Sequence, residues 1–131
     1  MEEKMQLEGL GIYVNDMPTM IRFYRDIMGF DITEPEDTIN VYLVKDGVLF
    51  MFYPRKAFEM FAGRIFSYTD GLNGHYEIAL RVASPSDVDA EWNRLLSLGV
   101  TPVYPPTDQG WGRTCYIADP ENNLVEIAWK P

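Results

Sequence analysis

Two stretches of the sequence decide the fold: Leu10-Gly11-Ile12-Tyr13-Val14 in the first half of the chain and Ile78-Ala79-Leu80-Arg81-Val82 in the second half. In both stretches apolar side chains alternate with other residues, the period of two that is typical of a half-buried β-strand. A turn and then a helical pattern follow each stretch. The sequence therefore predicts one structural unit that occurs twice.

A helix is expected after each of these strands. The first begins after Asn15-Asp16, residue types that favour the N-cap position, and ends at Gly29. The second begins at Ser84-Pro85, with proline at the first helical position, and ends at Gly99. Apolar side chains recur at helical spacing in both segments, so each helix has one face to bury. These side chains are Met17, Met20, Ile21, Tyr24, Ile27 and Met28 in the first helix, and Val88, Trp92, Leu95 and Leu96 in the second.

Short strand-like runs follow each helix, which makes the order βαβββ in both halves. The runs cover residues 30–33, 39–44, 48–53, 100–103, 114–117 and 124–129. Asp46-Gly47 is a hairpin signal between two of them. Each helix covers only one face of its sheet, so two such modules can pair around a hollow that holds a ligand.

The fold expected from this pattern is α+β, with two βαβββ modules forming a curved mixed sheet around a cavity. Residues 1–131 then form a single domain. Module 1 spans about 5–54, a link covers 55–74, and module 2 spans about 75–131.

Composition narrows the possible functions. The net charge of −9 argues against nucleic acid and anionic membranes as partners, because phosphates bind to clustered Lys and Arg. The acidic balance fits either a soluble surface or a site for a cationic ligand. No signal peptide or long apolar run is visible, so a cytoplasmic location is expected. The single cysteine, Cys115, excludes an internal disulfide and is expected to be a buried small apolar residue.

Two stretches resemble the glyoxalase/bleomycin-resistance (vicinal oxygen chelate) superfamily. One runs from Gly11 to Asp16 and continues into Phe23–Phe30. The other, from Asp119 to Ile127, is similar to the D-P-x-G-N-x-x-E signature of that superfamily. Asn122 stands where the signature has glycine, and asparagine tolerates the positive φ that such a turn residue adopts. The resemblance implies the fold described above and a homodimer, but not a reaction, since the superfamily contains both metal-dependent enzymes and metal-free drug-binding proteins.

The resemblance also implies four positions for metal ligands, two in each half. In this chain they fall on Gly9, on Glu77, on Glu126 and within one residue of Phe50. Glycine and phenylalanine supply no ligand, so we expect no metal and no other cofactor. His75 leaves one alternative open: it lies two residues before Glu77, and a set of His75, Glu77 and Glu126 would provide three ligands.

Glu126 is the candidate catalytic group, because a carboxyl group facing a cavity beside another carboxyl group can be tuned as a general base. Aromatic side chains on the inward phase would contact a flat or apolar ligand. The run 104–113 is expected to be a loop in which Trp111, between two glycines, closes over the ligand. Arg81 can pair with Glu77, and Arg113 with an anionic group or an inward Glu. The expected ligand-binding residues are Tyr13, Phe50, His75, Glu77, Arg81, Trp111, Arg113 and Tyr116.

Two functions follow. The first is a metal-independent protein that binds and sequesters a small cationic or aromatic molecule. The second is a lyase or isomerase similar to lactoylglutathione lyase, either metal-dependent or using Glu126 or His75 as its base. The sequence contains a single histidine, which disfavours an extradiol dioxygenase, since that chemistry needs two.

Overall fold

The computed structural model describes residues 4–131. The chain forms two compact units, Met1–Phe66 and Ser67–Pro131, which we call the N-terminal and C-terminal units. Each unit contains one sheet and at least one helix, so the expected α+β class and the two-module organisation are confirmed. None of the helices in the described part of the chain has the length and apolar character needed to cross a membrane.

The N-terminal unit has a three-stranded sheet in the order β1-β3-β2. Strand β1 runs parallel to β3, and β2 pairs antiparallel with β3. Helix α1 continues into a π-helical turn, and α2 follows β3 directly. The elements are β1 (Gly9–Val14), α1 (Met17–Arg22), the π-helical turn (Phe23–Ile27), β2 (Val41–Lys45), β3 (Val48–Pro54) and α2 (Arg55–Ala62).

The ends of the first helical segment lie where the sequence predicts them. The Asp16 carboxylate accepts a hydrogen bond from the Thr19 amide at 3.2 Å, as an N-cap does. Gly29, at the other end, has a φ of 77°. The strand expected at 30–33 is not formed. The Phe30 amide donates to the Tyr24 carbonyl at 2.8 Å, so the backbone closes the helix end instead of joining a sheet.

An aromatic core fills the space between α1 and the sheet. Tyr24 is fully buried, and its ring centroid lies 5.2 Å from that of Phe30, 5.8 Å from Phe50 and 5.4 Å from Phe52. The prediction that Phe50 faces the cavity is therefore wrong. Phe50 faces the helix instead. Side chains alternate along a strand, so an error of one residue in the predicted phase places a side chain on the wrong face.

The C-terminal unit has a four-stranded sheet in the order β4-β7-β6-β5, and one helix packs on it. The N-cap prediction for this helix is confirmed, since the Ser84 hydroxyl accepts from the Asp87 amide at 3.3 Å. Cys115 is fully buried, and burial raises the pKa of its thiol to about 11. The elements are β4 (Asn73–Arg81), α3 (Pro85–Ser97), β5 (Thr101–Gln109), β6 (Gly112–Ala118) and β7 (Asn123–Trp129).

The loop expected at 104–113 is not present. Strand β5 extends to Gln109, and only Gly110 and Trp111 form the turn to β6. A Cβ atom at Gly112 would lie 2.1 Å from the Trp129 carbonyl oxygen, so glycine is required where β6 passes this close to β7. The prolines that favoured a loop lie on β5, which is an edge strand where a missing N–H is tolerated.

The signature segment before β7 forms a tight, hydrogen-bonded turn. The buried Asp119 carboxylate accepts from the amides of Glu121 and Asn123 and from the Asn123 side chain, at 2.8 to 3.0 Å. Asn122 has a φ of 68°, so the expected positive φ at this position is confirmed. The acidic residue of the signature therefore stabilises the turn that leads into the strand of Glu126.

Candidate ligand-binding site

Three strands of the C-terminal unit bring four polar side chains together on the sheet face opposite α3. Tyr116 on β6 lies directly across from Glu126 on β7, and Ala79 on β4 lies across from Glu126 on the other side. Glu77 is two residues before Ala79, so it lies diagonal to Glu126 on the same face. We call this group the carboxyl cluster; it consists of Glu77, Thr114, Tyr116 and Glu126.

Glu126 is the buried carboxyl group of the carboxyl cluster. Only 7% of the residue is exposed. Its Oε2 atom accepts a hydrogen bond of 2.7 Å from the hydroxyl of Thr114, itself buried. This bond holds the carboxyl group in one orientation, which favours a defined role in binding or proton transfer.

Glu77 is exposed and electrostatically coupled to Glu126. Partial burial, and then a hydrogen bond with Glu126 and its negative charge, raise the pKa of Glu77 above its ordinary value. The Tyr116 hydroxyl donates to Glu77 at 3.1 Å, which together with the charge of Lys130 opposes part of this rise. Burial and the two carboxylates raise the pKa of Tyr116 well above its ordinary value, so its hydroxyl keeps its proton.

The carboxyl cluster can therefore do two things chemically. Two adjacent carboxylates attract a cation, and a bound cation would relieve the repulsion between them. A carboxyl group with a raised pKa, such as that of Glu77, can also accept a proton from a bound molecule and return it. The Tyr116 hydroxyl stays protonated and can donate a hydrogen bond to a bound molecule.

The N-terminal unit presents aromatic rings where the C-terminal unit presents carboxylates. On the sheet face opposite α1, Tyr13 lies directly across from Tyr53, and Tyr42 lies across from Met51. Gly11 also pairs with Met51, in the same way that Ala79 pairs with Glu126. The internal counterpart of Glu126 is therefore Met51, one residue from the position expected from the sequence.

The side chains at the four positions where the resemblance implies metal ligands do not fit a transition metal of the Zn²⁺ or Ni²⁺ type. The four positions implied by the resemblance carry Gly9, Met51, Glu77 and Glu126, and the Met51 sulfur already accepts from the Tyr53 hydroxyl at 3.0 Å. Two carboxylates without an imidazole or thiolate are fewer ligands than such ions take. Within residues 4–131, no three His, Cys, Asp or Glu side chains are placed so that they could hold a metal ion together.

His75, Glu77 and Glu126 do not form the three-ligand set that the sequence left open. Asn73 pairs with Asn123 and Glu77 with the next residue, Leu124, so β4 has three extra residues at this point. This bulge interrupts the alternation on which the prediction for His75 depended. His75 is exposed, and its amide donates to the Asn73 side chain at 2.9 Å.

Both predicted arginines have other partners. The Arg113 guanidinium donates to both Asp89 carboxylate oxygens on α3, at 2.8 and 2.9 Å, and to Asp108 at 2.9 Å. Arg113 thus lies on the helix side of the sheet, so the prediction that it contacts a ligand or an inward Glu is wrong. Arg81 donates to the Lys130 carbonyl at 3.3 Å, and Tyr116 is the residue that donates to Glu77.

Trp111 lies at the tip of the β5–β6 hairpin and is 45% exposed. The ammonium group of Lys130 lies 5.4 Å from the centroid of its ring. The turn that carries it has only two residues, which leaves much less freedom than the long loop expected from the sequence. Its role as a lid stays a prediction.

Sequence reasoning missed three residues of these faces, which are Thr114, Met51 and Tyr53. Thr114 lies two residues before Tyr116 on the same strand, so both side chains face the same side of the sheet. This spacing alone could have identified Thr114 as part of the site. Tyr53 joins the open face only through the pairing of β3 with β1, which is a contact between distant parts of the chain. No local sequence pattern predicts which residues of β1 and β3 lie opposite each other.

Comparisons with known proteins agree with this architecture. The family model described as "Glyoxalase/Bleomycin resistance protein/Dioxygenase superfamily" matches residues 6–127. A glyoxalase-related enzyme from Fulvimarina pelagi has 20% identity and a TM-score of 0.79, covering 96% of this chain and 88% of its own. No curated protein matches the sequence significantly.

Two further solved structures have the same fold. A glyoxalase/bleomycin resistance protein/dioxygenase family enzyme from Burkholderia phytofirmans PsJN has 23% identity and a TM-score of 0.77, covering 95% of this chain and 98% of its own. Lactoylglutathione lyase from Agrobacterium tumefaciens has 18% identity and a TM-score of 0.70, covering 98% of this chain and 96% of its own. Identities this low show the fold alone. Because the family model spans nearly the whole chain, the chain belongs to the glyoxalase/bleomycin resistance protein/dioxygenase superfamily.

Proposed function

We propose that this protein binds a small molecule that carries a positive charge or an aromatic ring, without a metal ion. The observation that carries the proposal is the carboxyl cluster, in which Glu77 and Glu126 lie close enough to share a hydrogen bond and to repel each other. A cationic group on a ligand would neutralise this repulsion. The net charge of −9 adds a long-range attraction for such a ligand.

Each member of the carboxyl cluster has a distinct part in this proposal. Glu126, fixed by Thr114, supplies the oriented negative charge. Glu77, which is exposed, adds the second charge when it is deprotonated. Tyr116 donates a hydrogen bond to a carboxylate or to a polar atom of the ligand.

The experiment is a thermal-shift screen of purified protein against cationic, neutral and anionic aromatic compounds, followed by calorimetry for each hit. A ligand that binds the folded state raises the melting temperature. We expect hits among the cations, with binding weakened roughly tenfold or more in the Glu126→Gln variant, because one charge–charge contact of a partly buried pair is lost. The control is Glu91→Gln, which removes the same charge from α3, where Glu91 pairs with Arg94.

Two results would contradict the proposal. One is a screen in which neither the cationic nor the neutral aromatic compounds shift the melting temperature. The other is equal affinity of the wild type, Glu126→Gln and Glu91→Gln for the same cation, because the carboxyl cluster would then have no part in binding. A fall in affinity as the pH falls through the pKa of Glu77 is expected as well, since protonation removes one of the two charges.

An enzymatic role is the second candidate, and the coupling of Glu77 to Glu126 favours it. A carboxyl group with a raised pKa beside an oriented carboxylate is an arrangement that can remove a proton from a bound substrate. The discriminating measurement is hydrogen–deuterium exchange into any ligand found by the screen. Loss of exchange in both Glu126→Gln and Glu77→Gln, with binding retained, would assign the protein to the lyase or isomerase class.

We further propose that the protein is a homodimer, as the resemblance implies, and that it is located in the cytoplasm. Light scattering coupled to size-exclusion chromatography tests the dimer, and a mass of one chain at micromolar concentration would contradict it.

A further inference from the structure

The N-terminal unit contains a second group of side chains that the carboxyl cluster does not use. It consists of Tyr13, Tyr42 and Tyr53, one from each strand of the sheet, and we call it the tyrosine cluster. All three lie on the face opposite α1. Tyr42 is 53% exposed and Tyr13 39%, so their rings are accessible.

The planes of the three rings are inclined to one another. The centroids of Tyr42 and Tyr53 are 5.9 Å apart with the ring planes at 80°, and those of Tyr13 and Tyr53 are 6.1 Å apart at 39°. Rings at such angles can direct more than one π-face toward a single bound group. A cation within about 6 Å of several ring centroids is attracted by each of them.

Two further contacts hold the rings of Tyr53 and Tyr13 in place. A Cβ atom at Gly11 would lie 2.9 Å from the ring of Tyr53, so this ring lies directly over the glycine. The ring of Tyr13 is stacked on Phe58 of α2, with centroids 4.6 Å apart. The positions of the Tyr13 and Tyr53 rings are therefore set by their neighbours before any ligand binds, which lowers the entropy cost of binding.

The electrostatic surroundings favour positive charge. The carboxylate of Glu8 lies near enough to act on the Tyr53 hydroxyl and, after the hydrogen bond with Tyr42 and burial, contributes to a raised pKa for Tyr53. The Tyr53 hydroxyl thus keeps its proton, and the negative charge of Glu8 lies near it. A neutral π-surface next to a carboxylate is the surrounding that an alkylated ammonium group needs, since that group cannot donate the hydrogen bonds that a carboxyl cluster accepts.

We propose that the tyrosine cluster is a binding site for quaternary ammonium groups. This assignment goes beyond the proposed function, because it concerns the other unit and other side chains and stands whether or not the carboxyl cluster binds a ligand. The ligand class is a trimethylammonium compound or a similar bulky cation without N–H groups.

The test uses choline as the probe and 3,3-dimethyl-1-butanol, its neutral isostere, as the control ligand. Aromatic carbon–proton NMR spectra of the full chain are recorded during titration to millimolar concentrations. We expect ring signals of Tyr13, Tyr42 and Tyr53 to shift with choline, and the neutral isostere to bind roughly threefold to tenfold more weakly.

Two variants assign the effect to the rings. Tyr42→Ala should weaken choline binding roughly threefold or more, whereas Tyr42→Phe, which keeps the ring, should bind as the wild type does. Both should fold, because Tyr42 is largely exposed. Glu126→Gln should bind choline normally, so failure of this site and failure of the carboxyl cluster are distinguishable.

Three outcomes would overturn the assignment. They are the absence of any shift in the tyrosine cluster at millimolar choline, equal affinity for choline and its neutral isostere, and a Tyr42→Ala variant that binds as tightly as Tyr42→Phe.

Discussion

Thr114 shows how much one hydroxyl group decides at the residue scale. It is the donor to the Oε2 atom of Glu126, and both residues are buried. Valine has nearly the same shape but no donor. The Thr114→Val substitution should therefore lower the free energy of unfolding by about 1–3 kcal/mol, because a buried acceptor loses its partner.

Urea denaturation of the wild type and the variant measures this change. Thr114→Ser keeps the hydroxyl, so it should recover most of the lost hydrogen-bond energy. If Thr114→Val proves as stable as the wild type, the hydrogen bond does not hold the Glu126 carboxyl group.

The raised pKa of Glu77 predicts that the stability of the folded protein depends on pH, and the linkage between proton binding and folding gives the sign. Its pKa in the folded protein is raised above the ordinary value of 4.5, so between these two values the folded state binds more protons than the unfolded state. Stability from this group is therefore lost as the pH rises through that window. Melting temperatures measured against pH should fall more steeply there for the wild type than for Glu77→Gln.

The two melting curves should converge below pH 4.5, where the carboxyl group is protonated in both states. Parallel curves across the whole range would show that the pKa of Glu77 is not raised in the folded protein.

At the scale of elements, the pairing of β6 with β7 depends on a close approach of their two backbones. The Gly112→Ala substitution would place a methyl group 2.1 Å from the Trp129 carbonyl oxygen, so β6 must move away from β7. We expect a loss of about 1–3 kcal/mol of stability, the usual cost of an overpacked site.

Gly110 in the same turn is the matched control, because nothing lies within 4 Å of a Cβ atom there. Chemical denaturation of Gly112→Ala and Gly110→Ala compares the two positions directly. Equal stability of the two variants would mean that the hairpin tolerates a side chain at Gly112.

At the scale of the whole molecule, the ligand set predicts the response to metal ions. Protein dialysed against Zn²⁺ or Ni²⁺ and then freed of excess ions should retain far less than one ion per chain, because Glu77 and Glu126 alone do not form a three- or four-ligand site. Elemental analysis measures the ratio. One bound ion per chain in the wild type, lost in Glu126→Gln, would refute this prediction.

The repeat, the helix ends and the turn at Asn122 could be predicted because their causes are local. Asp16 and Ser84 cap the helices with their own side chains, and Asn122 tolerates a positive φ wherever it occurs. The alternation in β4 and β7 also placed Glu77 and Glu126 on one face correctly, since a regular strand fixes its phase from its own sequence.

The remaining features were decided by contacts between distant parts of the chain. The sequence could not show that Met51 rather than Phe50 faces away from α1, because the phase of β3 follows from its pairing with β1 and from the packing of Tyr24. The bulge between Asn73 and Glu77 and the pairing of Arg113 with the Asp89 carboxylate also depend on contacts between distant parts of the chain. Local patterns are encoded in a few neighbouring residues, whereas register and partner choice minimise the energy of the whole packed unit, so only the tertiary structure decides them.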